Sequence, residues 1–224
     1  MSEAVTKLLA DKLVLKLPAE ARADPNSLRE STLYTLEVES VLRANLAWIS
    51  ALFDAYATRG PTGRADLLSL PAWLSMLTAA KLFDSDFTPR EAVLAFQSAT
   101  TRVVDEIKSR TKVLHLSLVD LFDALLRVAL MKKLPTPDIL RKAGKRSAGE
   151  HYLELIQAQS SVYENFLQAH LDHGLISNNP VGMPSHRALE ALLSVIVAVV
   201  RGSANPPEST ALTPDEVAAF IERS

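Results

Sequence analysis

LSLPAWLSML, residues 68–77, and LSLVDLFDAL, residues 116–125, are two versions of one phrase set 116 − 68 = 48 residues apart. At the same offset ANLAWISA (44–51) matches AVLAFQSA (92–99), with five of eight positions identical and Trp48 becoming Phe96. Two matches at one offset mark an internal duplication. Each copy opens with apolar residues at helical spacing, passes through a turn-rich stretch, and reaches a Leu-Ser-Leu piece that leads into a second apolar helix. The duplicated unit is therefore a helix–loop–helix, and it sets the expected fold class as all-α.

Composition agrees. Of 224 residues, 48% are hydrophobic but only 6% are aromatic, so the apolar surface is mostly Leu, Ala and Val, which suits packed helices. The seven glycines all fall between periodic segments. A net charge of −2 points neither to nucleic acid nor to an acidic tail. With no cysteine, the chain has no disulfide framework, thiolate metal site or cysteine nucleophile. Glu3 and Asp11 in the first helix-like stretch argue against a presequence. The most apolar run, ALLSVIVAVV (191–200), is about half of the ~20 residues a membrane span needs. Arg187, Glu190 and Arg201 flank it closely, so it reads as a buried core helix, and no membrane is expected as a partner.

Periodicity predicts helices over 3–16, 32–58, 71–83, 88–110, 119–131, 150–173, 185–201 and 214–223. The helix from 88 is opened by TPRE and the last by TPDE, both capping boxes with proline at the first helical position. Val93, Phe96, Thr100, Val103 and Ile107 should face inward. The organisation expected is an N-terminal helix and linker (1–31), the duplicated pair (32–133), a basic linker (134–149) and a C-terminal helical region (150–224).

The repeated unit resembles the EF-hand, in which an entering helix, a loop with one residue in a small β-bridge, and an exiting helix follow in order. Leu68 and Leu116 hold the bridge position, so the resemblance implies two adjacent short strands joining the hands. A calcium loop needs oxygen ligands at its first, third, fifth and twelfth positions and glycine at its sixth. Aligned on Leu68, these are Pro61, Gly63, Ala65 and Ala72, with Asp66 at the sixth. Aligned on Leu116, they are Ser109, Thr111, Val113 and Asp120, with Leu114 at the sixth. Neither loop assembles a carboxylate cage, so the pair is of a degenerate type with no metal. A third echo, LTPDEV (212–217), places Glu216 twelfth from Asn205, with Pro207 and Ser209 between.

LFDSDFTPREAVLAF and LHLSLVDLFDALLRVA are also similar to helical proteins of protist flagella and ciliary axonemes. That resemblance implies a non-catalytic scaffold or linker in a cytoskeletal assembly. It would be cytoplasmic, in the cytoskeleton of a cilium or flagellum, with tubulin or axonemal proteins as partners. The alternatives are a calcium-responsive adaptor working through the third loop, or a structural subunit of another large complex such as a mitochondrial one.

Chemical motifs are sparse. Asp84 and Asp86 read as a solvated linker rather than metal ligands. His170 and His173 share a helix face but lack a third ligand. His115 belongs to the bridge edge. Ser160 and Ser161 have no nucleophile-elbow setting, and no glycine-rich phosphate loop occurs. No enzyme, cofactor or metal is expected. Two interaction features remain. Lys132, Lys133, Arg141, Lys142, Lys145 and Arg146, with Asp138 as the one acid among them, form a basic run suited to an acidic protein surface. No aromatic residues interleave with these charges, so nucleic acid is not expected. Trp73, Leu74, Leu77, Leu121, Phe122 and Leu125 are the candidates for an apolar groove that would accept a partner helix.

Overall fold

A computed structural model describes residues 25–59, 66–101, 103–105, 107–108, 110–158, 160–168, 183–202 and 212–222, together with Lys7. All of the expected helix at 3–16 except Lys7, the third-loop positions Asn205, Pro207 and Ser209, and His170 and His173 lie outside these residues. The described part is mostly helical, with three very short strands, in keeping with the all-α class.

The first described helix, α1 (Pro25–Leu28), runs into a π-helical turn, Arg29–Leu33. α2 (Leu36–Tyr56) follows and buries Val38, Val41, Leu42, Trp48, Ile49, Leu52 and Phe53, a stripe at three- and four-residue spacing. Thr58–Arg59 (β1) and Asp66–Ser69 (β2) form an antiparallel hairpin, and α3 (Leu70–Ala79) begins directly after it. Ser69 caps α3 by accepting from the backbone N–H of Ala72. The second copy comprises α4 (Pro89–Ala99), a single turn α5 (Arg110–Val113), β3 (His115–Leu116) and α6 (Leu118–Met131).

β2 and β3 pair antiparallel with Leu68 opposite Leu116 and Ser69 opposite His115. The two Leu-Ser-Leu pieces thus meet as the duplication required, and both leucines are fully buried. Trp73 and the inward face of α4 lock the copies further. The Trp73 indole N–H donates to the carbonyl of Ala92 at 3.0 Å, satisfying a polar atom that burial would otherwise leave without a partner.

α4 ends at Ala99, well short of the expected 110. Thr100 is extended (φ −61°, ψ 139°), Val103 is half-buried and Ile107 points into solvent. The β-branched residues Thr100, Thr101, Val103 and Val104 weaken helix propagation, and long-range partners take over its end. The Arg29 guanidinium accepts the role of C-cap by donating to the carbonyl of Ala99, and the Thr101 hydroxyl donates to Asp120 at 2.6 Å. The expected helix at 150–173 is likewise divided. α8 (Ala148–Gln157) stops where Ala158 turns extended, and α9 (Ser160–Gln168) is a separate helix.

Residues 134–149, expected as a linker, contain the helix α7 (Pro137–Ala143), capped by Thr136 and closed by Gly144 in the left-handed region at φ 65°. α10 (Ser185–Arg201) carries the apolar run 191–200. It packs against α2, α6 and α8, and α11 (Pro214–Ile221) lies against α2 and α10. A single core therefore extends from Leu33 to Phe220 through both copies and the C-terminal helices. α10 meets α8 at closest range beside Gly149, where a Cβ would stand 2.2 Å from the carbonyl oxygen of Ser194. Among the described residues no helix is long and apolar enough to cross a membrane.

Candidate functional site

The two described carboxylates at twelfth loop positions, Asp120 and Glu216, are committed elsewhere. Asp120, the twelfth of the second loop, is the third residue of α6. Its carboxylate accepts from the backbone N–H of Ser117 at 3.0 Å and from its hydroxyl at 2.7 Å, closing a capping box, and takes the Thr101 hydroxyl as well. Thr111 and Val113 lie in the helical turn α5, and the Thr111 carbonyl is 2.9 Å from Nδ1 of His115. The third-loop Glu216 has the same fate. It caps Thr213 and accepts from the Arg201 guanidinium at 2.8 Å, and that hydrogen bond holds its carboxyl below the usual range. Among the described residues no group of three or more His, Cys, Asp or Glu side chains could share a metal ion.

The two inter-helix linkers, DSD and KKL, come together instead of lying in solvent. Lys132 Nζ forms an ion pair with Asp84, with side-chain exposures of 0% and 6%. Lys133 Nζ lies 3.1 Å from Asp86, and its backbone N–H donates to the same carboxylate at 3.0 Å. The reading of Asp84 and Asp86 as a solvated linker is thereby replaced. A charge this deeply buried persists only when paired and fully hydrogen-bonded, and here the repeat brings opposite charges into reach. α9 completes the cluster. The Tyr163 hydroxyl donates to Asp84, and Lys133 Nζ donates to the Leu167 carbonyl at the end of α9 at 2.8 Å. Tyr152 fixes the other side by donating to the Lys81 carbonyl at 2.8 Å, and its ring lies under the Lys132 ammonium at 5.2 Å. Burial pushes the Asp84 carboxyl up, but Lys132 and the Tyr163 hydroxyl outweigh it and hold the group below the ordinary range. Burial, with Tyr152 and Asp84 nearby, raises the Tyr163 phenol.

These pairs change the basic run. Lys132 and Lys133 are buried members of the cluster and leave no charge at the surface. Arg141 pairs with Asp138 on the exposed face of α7, and Lys145 reaches Glu154 and Glu150. Lys142 and Arg146 are exposed, and neither side chain makes an ion pair among the described residues. What remains is a small basic face on and just after α7.

The expected inter-hand groove is filled by the chain itself. Trp73, Leu77, Leu121 and Leu125 have 0% exposure, because α2, α4 and α10 close over them. Only Leu74 and Phe122 stay half-buried. A different groove, of about 740 Å³, opens between α3, the C-terminal ends of α2 and α10, and α11. Leu74, Tyr56, Val199, Phe220 and Ile221 form its apolar walls, and Ser75, Thr78 and Lys81 stand at its lip.

Sequence reasoning missed Tyr152, Tyr163, Arg29 and Lys81. Arg29 joins Asp123 at 2.7 Å beside Arg127 at 2.8 Å, a buried carboxylate shared by two guanidinium groups. The offset itself carried one available signal, since Asp84 and Lys132 are equivalent positions of opposite charge. No protein-family model, curated protein or solved structure matches the chain.

Proposed function

We propose that the chain is a non-catalytic interaction protein, a paired helix–loop–helix unit of degenerate EF-hand type that acts as a scaffold or linker in a cytoskeletal assembly. The observation that carries this reading is the Leu68–Leu116 bridge, which joins the two copies while the twelfth-position carboxylate of the second serves as a helix cap. A unit built this way keeps the paired architecture and has put its metal chemistry to structural use. Partner binding is what such an architecture then offers. The microtubule or axonemal setting draws its support from the pattern LHLSLVDLFDALLRVA. The basic face of Arg141, Lys142 and Arg146 is the surface suited to an acidic partner such as tubulin. A calcium-responsive adaptor is the weaker reading, because Asp120 and Glu216 are already engaged by caps and by Arg201.

The test is co-sedimentation of the purified chain with microtubules over a salt series, alongside localisation of a tagged copy. Binding should fall as salt rises, since exposed charges are screened over about 8 Å at physiological ionic strength. Reversing Lys142 and Arg146 to Glu should weaken it without changing the melting temperature. Salt-independent binding, or none together with a diffuse distribution in the cell, would sink the proposal.

A further inference from the structure

Among the described residues one buried side-chain polar atom has no hydrogen-bond partner, Nδ1 of His151 on α8. Buried polar atoms are otherwise paired, so this one calls for a reason. The ring meets Phe166 of α9 edge to face, with the centroids 6.3 Å apart. Neutral imidazole tolerates such a place, because one of its nitrogens carries no hydrogen and can stay unbonded at modest cost. Imidazolium does not. Both of its nitrogens are donors, and Nδ1–H would be a buried charged donor with no acceptor.

The groups around the ring are already engaged. Glu150 and Glu154 of α8 both pair with Lys145 Nζ, and Glu150 also takes the Arg146 backbone N–H. α9 carries Glu164, which accepts from the Ser85 hydroxyl, and Tyr163, which donates to Asp84. The linker acids Asp84 and Asp86 are held by Lys132 and Lys133. On the other helices against α8, Asp138 pairs with Arg141 and Glu190 with Arg187, while Lys142 and His186 add no negative charge. Burial lowers the imidazole below its ordinary value of 6.5, Lys145 adds to the shift, and Glu154 and Glu150 oppose it.

α9 is the element placed to respond. It has nine residues, fewer than the ~12–15 that an isolated helix needs, so its order depends on docking. Leu167 is buried, Tyr163 and Phe166 are half-buried, and Val162 is 47% exposed. Its described polar attachments run to the two linkers, through the Tyr163 hydroxyl, the Leu167 carbonyl and Glu164. Water can replace each of these, which places α9 at the low end of local stability. The extended Ala158 separates it from α8.

We propose that α9 is a proton-released strap, docked over the two linkers while His151 is neutral and released, with the core left folded, when the imidazole takes a proton. Release uncovers the Asp84–Lys132 and Asp86–Lys133 pairs. This device goes beyond the interaction reading and depends on no partner. Its direction is fixed by which state binds more protons. The docked value of His151 lies below the free value of about 6.5, so docking is complete above that pH and is lost as pH falls through the docked value. Asp84 stays ionised in this window, since its carboxyl is held below the usual range.

The test is hydrogen exchange by mass spectrometry on the full chain between about pH 8 and about pH 5, with rates corrected for the intrinsic effect of pH. Peptides from α9 should lose protection below about pH 6.5, approaching tenfold per pH unit, while peptides from α6 and α10 keep theirs. His151→Leu and His151→Asn do not titrate, and both should hold α9 protection constant over the range. Flat α9 protection in the wild type would overturn the proposal. So would an equal fall in the two variants, which would assign the response to another group, or a fall shared by α6 and α10, which would be global unfolding. If one variant fails to fold, the other carries the comparison. Failure of both would make His151 a structural residue and count against the proposal equally.

Discussion

Asp84 and Lys132 occupy the same place in the two copies of the repeat, 48 residues apart, and their side chains pair with each other. The duplication thus sets two equivalent linkers against one another, and their opposite charges let the contact be buried. Tyr152, Tyr163 and Phe87 surround the pair, the two tyrosines coming from α8 and α9 and Phe87 from the end of the first linker itself. Removing one partner should leave the other charge buried and unpaired. Asp84→Ala or Lys132→Ala is expected to cost about 3–5 kcal/mol in urea unfolding. The double variant Asp84→Leu/Lys132→Met should recover most of that loss, because it removes both charges and keeps the volume. Additive losses in that cycle would mean that the pair is not coupled.

Acid should act on the same cluster. The Asp84 carboxyl is held below its ordinary value in the folded chain, whereas the unfolded chain takes the usual value of about 3.9. A lowered folded value contributes stability that is complete above the unfolded value and is lost as pH falls through the folded one. The melting temperature of the wild type should therefore drop below about pH 4. The gap between wild type and Asp84→Asn should narrow over the same range. A gap that stays constant to pH 2 would show that Asp84 contributes nothing through its charge.

The limits of the sequence reading follow from where the determining forces lie. Helical periodicity is local, so α2, α3, α6, α10 and α11 could be read within a few residues of their bounds. The Leu68–Leu116 pairing was legible because the repeat states it twice. The end of α4 was not, since it is set by Arg29 and Asp120, distant in sequence, competing with a helical pattern that runs on. The charged residues misled for a related reason. Lys132 and Lys133 look like a surface run beside Arg141 and Lys142, and only the fold reveals that acids of the other copy draw them inward. The groove was sought between the copies, where α10 lies, because nothing local says that an apolar helix far along the chain will fill that space.

Gly149 tests how tightly α10 is held. A Cβ there would meet the Ser194 carbonyl oxygen at 2.2 Å and the Ala198 methyl at 2.7 Å, and backbone oxygen has no rotamer with which to retreat. Glycine to alanine inside a helix would ordinarily gain about 1 kcal/mol. Here the forced separation of α8 and α10 should reverse the sign and cost about 1–3 kcal/mol. Adding Ala198→Gly relieves the methyl but not the carbonyl, so it should restore little. A Gly149→Ala protein as stable as wild type would mean that the two helices can slide apart freely.

Asp120 separates a structural carboxylate from a metal ligand. It accepts from the Ser117 backbone and hydroxyl and from the Thr101 hydroxyl, so its lone pairs are spent on closing α6 and anchoring the segment after α4. Ala72 holds the equivalent place in the first copy and offers no carboxylate at all. Calcium binding needs several oxygens to replace the ion's hydration shell, and these sites do not supply them. Millimolar calcium should therefore leave both the melting temperature and the tryptophan fluorescence of the wild type unchanged. Asp120→Ala should lose about 1–2 kcal/mol, the scale of a helix cap with one added hydrogen bond, and should lose the same amount with calcium as with a chelator. Asp120→Asn keeps an acceptor for the cap and should fall between the two. If calcium raised the melting temperature of the wild type but not of Asp120→Ala, the carboxylate would be a ligand after all, and the adaptor reading would displace the scaffold.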